Sequence, residues 1–410
     1  MENSFKSKFL TSTTLLLICS TFVLAGCNAE APADSSSEIS GQSTSDRSGS
    51  TSDPAMQELY ASCLETASLY QDIYDRALKA DNLDTLETYQ EIISRLGDAG
   101  FCAADTDSQI NMENSDQLEN FLTDAQSGRT AEASTLLVTQ GAGIVYYKFH
   151  TQEGDLHVQR CTLYWENESA KAGYYEAFTA EKWLYTENGW FFFDQYRMPG
   201  YDGPPGEIGI RVKPLDSECR EYNRKYVLPV GYNRNSMLII DWSESDGFGT
   251  LNFYDLYDLM YRMKYGTEAP YPYAYTGAEY EIPASEFDSV LQSYLNIHTD
   301  TIRSRTVYYP ERGTYQYRPR GLEDAEYTYG PFPEVTARET QPDGTLKLTV
   351  QAVQVTNFTD HAITSELLIR PLPDGSFQYV SNHVTEIIDG ISGTWYTPRL
   401  TEDEWNNKYL

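Results

Sequence analysis

With 410 residues, 40% of them apolar, and a formal net charge of −31, the chain is too rich in core-forming side chains to be disordered throughout and too acidic to favour nucleic acid or anionic headgroups. Its 33 tyrosines suit half-buried strands whose outer ends are wet. Once the polar N-terminal stretch described below is set aside, about 350 residues remain, more than one ordinary core holds, and this suggests two domains.

The first element is a leader. Lys6 and Lys8 precede an apolar run from Phe9 to Leu24, thinned by Thr and Ser, that ends at Leu24-Ala25-Gly26-Cys27. A membrane span needs roughly 20 mostly apolar residues. This run is about 16 long and has the charged start and small-residue end of a secretory signal. Its last four residues resemble the lipobox of bacterial lipoproteins. The resemblance implies that residues 1–26 are removed, that Cys27 is diacylated, and that the membrane is a partner through the lipid on Cys27. The folded part then sits at the extracytoplasmic face of the cell membrane. From Asn28 to Asp53 nine serines accompany a single large aliphatic residue, Ile39, too little apolar surface to offset the entropy of ordering. Residues 27–52 therefore read as a lipidated cysteine and a disordered linker, reaching roughly 25–30 Å as a flexible coil.

Asp53-Pro54 is an N-cap with proline at the first helical position, and Leu59, Cys63, Ala67, Tyr70, Tyr74 and Ala77 keep a 3.6-residue period as far as Ala80. A second helix is expected over Leu83 to Leu96, closed by Gly97, so that the two form an antiparallel hairpin. A third runs from Ser115 to Gln126. Strands are then expected at 134–140, 143–151, 155–165, 172–186 and 189–196, separated by Gln140-Gly141, Glu153-Gly154 and Asn188-Gly189. The stretch Met198 to Gly206, with three prolines and three glycines among nine residues, is irregular. After it come a strand around Ile208 to Val212, a helix around Ser217 to Tyr226, a buried strand at Met237 to Ile240, a helix from Leu251 to Met263, an extended aromatic loop from Ala269 to Tyr275 and a helix from Pro283 to Leu295. Further strands fall at 305–309, 314–319, 333–340, 345–355, 362–370 and 376–383, with Pro342-Asp343-Gly344 and Pro373-Asp374-Gly375 as repeated turns. A parity change at Val353 and Val355 suggests a β-bulge. Thr401 with Glu404 makes a capping box for a last helical turn.

The order, helices then meander and again helices then meander, gives an α+β fold class. It divides into a first module over 53–245 and a second over 246–410, with one larger α+β domain as the alternative. From the Asp53 helix to the Pro-Asp-Gly hairpins the chain also resembles an uncharacterised family of lipoproteins from gut Gram-positive bacteria, a resemblance that implies no activity.

Chemistry is sparsely signalled. No GxSxG, HExxH, Walker or GxGxxG pattern occurs, and no metal or cofactor is expected. His150 and His157 face each other across the Glu153-Gly154 turn, but no third ligand accompanies them. Asp241 to Gly247 fails as a calcium loop because Trp242 falls where the first carboxylate is needed. The best binding surface is the loop bearing Tyr271, Tyr273 and Tyr275, whose proline-flanked rings would stack on a glycan, a peptide or a protein ligand. Two readings follow: a lipid-anchored binding or scaffolding lipoprotein without catalysis, or a surface glycan-acting enzyme using a carboxylate pair. Two acids facing each other in an aromatic-lined cleft would separate them. Finally, the hairpin geometry brings Cys63 level with Cys102, so these two are expected either to form a disulfide or to remain separate buried thiols.

Overall fold

The computed structural model describes residues 53–325, 330–388 and 395–410. The leader, Cys27 and the linker lie outside the described residues.

Helix α1 (Pro54–Ala80) starts at the Asp53 cap, whose side chain accepts from the Ala55 amide, and stops where Asp81 turns left-handed at φ 56°. Helix α2 (Leu86–Asp98) begins three residues later than the apolar period suggests, because Thr85 takes the N-cap and accepts from the Thr88 amide. Gly97 lies inside α2. A Cβ there would stand 2.7 Å from Cβ of Glu113, so glycine serves close packing rather than a cap. A short strand absent from the sequence reading, β1 (Ala103–Asp105), pairs parallel with β2 (Ala131–Thr139), and α3 (Ser115–Gln126) lies between them in sequence.

Strands β3 (Gly143–Gln152), β4 (Asp155–Glu166) and β5 (Ser169–Thr179) continue the first sheet antiparallel, in the order β1-β2-β3-β4-β5. Its two faces are both covered. One packs on α1 and α2 through Leu59, Cys63, Tyr70, Ile93, Ile144 and Cys161. The other holds Leu118 and Phe121 of α3 with Tyr147, Phe149 and Val158. The expected strand 172–186 is split: Ala180 still donates to the Leu156 carbonyl, but the Lys182 amide turns to the Asp194 carboxylate and starts a new sheet. That sheet contains β6 (Trp183–Tyr185), β7 (Trp190–Asp194) and β8 (Glu207–Arg211).

Parity also decides the cysteines. Cys102 and Ala104 point to the α3 face while Ala103 points to the α1 face, as alternation in a strand requires. Cys102 is thereby turned away from Cys63, and its sulfur lies 3.1 Å from Sδ of Met112. Of the two alternatives for this pair the structure shows the second, Cys63 and Cys102 buried apart in different cores, and no disulfide is formed among Cys63, Cys102, Cys161 and Cys219 in the structure as it stands.

In the second half, α4 (Ser217–Tyr222) passes into a π-turn over Asn223–Val227. The expected strand at Met237 to Ile240 is a folded turn instead. Asn235 Oδ1 accepts the Met237 amide, and the Met237 carbonyl accepts Trp242 Nε1 at 2.8 Å, so these apolar residues plug a core without joining a ladder. Then follow β9 (Trp242–Ser243), α5 (Phe253–Tyr265), β10 (Tyr280–Pro283), α6 (Ala284–Gln292), α7 (Thr299–Ser304), β11 (Tyr308–Tyr309) and β12 (Thr314–Tyr317). The last four strands are β13 (Phe332–Thr340), β14 (Leu346–Val353), β15 (Ile363–Pro371) and β16 (Phe377–Ile387), before α8 (Glu402–Tyr409). A small sheet runs β10-β12-β11, and a larger one β13-β14-β15-β16-β9. Gly344 and Gly375 turn at φ 86° and 87°, so both Pro-Asp-Gly signals join hairpin arms as expected. The parity change near Val355 is the end of β14 in a tight turn, while the register shift lies between Val335 and Ala337 of β13. The second core begins as early as Cys219, ahead of residue 246, and runs through Leu256, Phe287, Leu348 and Tyr379.

Candidate functional site

The three loop tyrosines part company. Tyr271 faces inward: its hydroxyl is 3.2 Å from Oε1 of Glu286, its ring packs against Tyr280 and Tyr317, and burial first and Glu286 second push its pKa up to about 12. It is half-buried against the core and does not line the pocket, so the expected trio does not form one surface. Tyr275 is 81% exposed and touches the edge of Tyr273. Of the three, Tyr273 lines a pocket of about 300 Å³ together with Tyr254, Gln316, Arg318, Trp405 and Tyr409.

Each wall has a local cause. Along β12, Tyr315 and Tyr317 alternate into the core, so Gln316 and Arg318 face outward into the pocket. Glu279 receives both Gln316 Nε2 at 2.9 Å and Arg318 Nε at 2.8 Å, which fixes their direction. The Arg318 guanidinium sits 4.0 Å over the Trp405 ring, a cation–π contact joining β12 to α8. Helix α8 is held by the reciprocal Thr401–Glu404 box and by Lys408 on Glu323 at 2.6 Å. Within α8, Trp405 and Tyr409 are four residues apart and stand on one face, with ring centroids 5.2 Å apart.

Two glycines let the rings lie against backbone. A Cβ on Gly321 would meet Cε2 of Tyr273 at 2.3 Å, and one on Gly277, already at φ 80°, would meet Cγ of Tyr409 at 2.7 Å. A hydrogen bond between the two phenols, then burial, raises the Tyr409 hydroxyl to about 12. The aromatic walls are thus braced from behind before any ligand arrives.

Beneath the pocket lies a pair of acids. Asp255 and Asp258, three residues apart on α5, share a face. Asp255 is 2% exposed and accepts from Arg320 at 2.9 and 2.8 Å, from Arg399 Nε at 2.5 Å and from the Tyr396 hydroxyl at 2.7 Å. Asp258 accepts the Tyr317 hydroxyl at 2.6 Å and contacts the other arm of Arg399. Burial raises the Asp258 carboxyl, with Arg399 working against it. For Arg399, burial pulls the guanidinium down but Asp258 and Asp255 outweigh it and hold it above its ordinary value. Two carboxylates therefore face two guanidiniums in one buried, hydrogen-bonded set in which both acids are engaged by structural partners. Asp324, also on the wall, accepts the Gly321 and Leu400 amides and anchors the loops.

His150 and His157 do lie opposite each other, ring centroids 6.0 Å apart, but His150 pairs with Glu132 and His157 with Thr179. Among the described residues no group of three or more His, Cys, Asp or Glu could hold a metal ion. Asp246 of the acidic turn accepts the Ser243 and Gly249 amides; the first of these, above all, lowers its pKa. A second hollow, of about 470 Å³, lies under the Pro-Gly loop, where Arg197 covers Tyr201 at 5.1 Å.

Sequence reading missed Trp405, Tyr409, Arg318 and Gln316. Their signal was available in part: a Trp and a Tyr four apart behind a capping box make an aromatic helix face, and alternation in 314–319 gives the outward residues. No helix among the described residues is long and apolar enough to cross a membrane. Residues 56–399 match a family of unknown function, DUF6070, and the chain belongs to that family. No curated protein and no solved structure matches it.

Proposed function

We propose that the protein is a lipid-anchored extracytoplasmic binding module, held to the membrane through Cys27, whose ligand site is the aromatic pocket between β12, the Tyr273 loop and α8. The observation that carries the reading is the combination of braced rings at Tyr273, Tyr409 and Trp405 with an acid pair fully engaged by Arg320 and Arg399. Flat aromatic walls with polar edges from Gln316 and Arg318 suit a sugar ring, whose C–H face stacks while its hydroxyls take hydrogen bonds. A volume of about 300 Å³ suits one ring of a glycan rather than a long peptide. The engaged carboxylates are the reason to place binding ahead of glycan hydrolysis.

Titration calorimetry with cell-wall and host glycan fragments tests the ligand. Trp405→Ala is expected to weaken binding by about tenfold, the equivalent of about 1.4 kcal/mol. Unchanged affinity in that variant would reject the pocket. Metabolic labelling with an alkyne fatty acid tests the anchor: wild type should label and Cys27→Ala should not.

A further inference from the structure

Although the expected partner of Cys63 lies in another core, Cys63 is not alone. Cys161, on β4, enters the same buried cluster as Leu59 and Cys63 of α1, and both cysteines are fully enclosed. The Cys161 thiol donates toward the Leu59 carbonyl at 3.8 Å. Leu59 is one helical turn before Cys63, and a helical side chain leans back over the preceding turn. Both sulfurs are thereby directed to one spot between helix and sheet. Cys161 also falls where the pairing of β4 with β5 slips between Arg160 and Thr162. We propose that Cys63 and Cys161 form a disulfide that ties α1 to β4 in the exported protein.

The oxidising compartment is taken from the anchored, extracytoplasmic reading above; the geometry is independent of it. The bridge forms by exchange with an external disulfide, either a small one such as glutathione disulfide or that of a thiol oxidase. One thiol loses its proton and attacks, releasing one thiolate and leaving a mixed disulfide. The second thiolate then displaces the remaining external sulfur. Two cysteine thiols are oxidised, one external disulfide is reduced to two thiols, and the two protons leave with them. Hydrogen bonding to Cys161, then burial, raises the Cys63 thiol well above its ordinary value, so the thiolate is scarce once α1 has docked. The exchange therefore belongs to folding, before the helix covers the sheet.

The full chain, unfolded and refolded with glutathione and glutathione disulfide, is alkylated under denaturing conditions and mapped by mass spectrometry without reduction. The expected result is a Cys63 peptide joined to a Cys161 peptide, lighter than the sum by two hydrogens, with Cys102 and Cys219 alkylated. Cys161→Ala should abolish the linked species and Cys102→Ser should leave it. A Cys63 found alkylated, or joined to Cys102, overturns the proposal. The same map on envelope protein separates the two readings. Acylated protein whose Cys63 and Cys161 alkylate freely overturns the bridge and leaves the anchor standing. A refolding bridge with no acyl group on Cys27 supports the bridge and defeats the anchor.

Discussion

Asp255→Asn strikes the set on which the non-catalytic reading depends. The wild-type carboxylate accepts four hydrogen bonds, from Arg320 twice, Arg399 and Tyr396. An amide removes the charge and turns a donor toward at least one of these donors. Arg399, 9% exposed, keeps Asp258, while Arg320, 6% exposed, loses the carboxylate it is paired with and keeps its two carbonyl partners. Breaking a buried ion pair from one side costs about 3–5 kcal/mol, and the retained Asp258 places this case near the lower figure. At about 1–2 °C per kcal/mol for a folded unit of this size the melting temperature should fall by roughly 3–6 °C. Scanning calorimetry and urea titration check it, the latter with a lower midpoint and an unchanged slope. Ligand binding should weaken as well, since Arg320 also holds the Asp324 and Thr397 carbonyls beside the pocket. The paired change Asp255→Leu with Arg320→Met should restore part of the loss, because both buried charges leave together. A single-variant loss below about 1 kcal/mol would mean that the acids are solvated; they would then be free for proton transfer, and the argument against hydrolysis would fall with the stability argument.

Gly321→Ala should displace the Tyr273 ring, which a Cβ would meet at 2.3 Å, and lower affinity about tenfold with little change in melting temperature, a split read by calorimetry on one sample. Tyr271→Phe should leave affinity unchanged and cost about 1 kcal/mol of stability through the lost bond to Glu286, measured by urea titration. Asp107 has its pKa raised from 3.8, by burial first and then by Asp105 and Asp84. The folded state therefore holds that proton to higher pH than the unfolded chain, and the penalty on stability is absent below 3.8 and complete above the folded pKa. Asp107→Asn should accordingly stabilise the protein near neutral pH by a few tenths to about 1 kcal/mol and lose its advantage as pH falls through the carboxylate range. Melting curves across that range decide it; an equal gain at every pH would show that the charge is irrelevant.

What could be read from sequence was local. The helix from Pro54 to Ala80 and the two Pro-Asp-Gly hairpins are set by a cap, a period and a turn chemistry, and these act over a few residues. The errors arise where distant chain decides. Met237 to Ile240 has the apolar content of a buried strand, yet the side chains of Asn235 and Trp242 hold the Met237 backbone in a turn. Cys102 is expected level with Cys63 along the hairpin, but β1 is drawn into the sheet beside β2 and its parity sends the sulfur to the opposite face. Of the site, the Tyr273 loop was legible because proline and tyrosine alternate there. The other half of the pocket was not, since α8 is brought to β12 across some ninety residues of chain.

The way the halves join bears on how the site can be studied. Strand β7 is buried on both faces: Phe191 and Phe193 pack toward the first sheet, while Trp190 and Phe192 pack with Val353 and Phe358 of the second half. Beside it Glu334 of β13 accepts Trp190 Nε1 at 3.2 Å, and its other oxygen lies 3.3 Å from Arg211 of β8, an ion contact without hydrogen-bond alignment. Arg220, whose pKa burial pulls down to about 10, belongs to α4 but reaches the Ser108 carbonyl and Asn111 in the first half. Removing either half would bare one face of β7 and leave buried charges without partners, a cost of several kcal/mol from the ions alone. The pocket thus depends on residues far from it. A fragment spanning only the second half would lose Trp190 and Phe192 from its own packing. Binding measured on such a fragment would report its unfolding as much as its affinity, which is why the variants above are placed in the full chain.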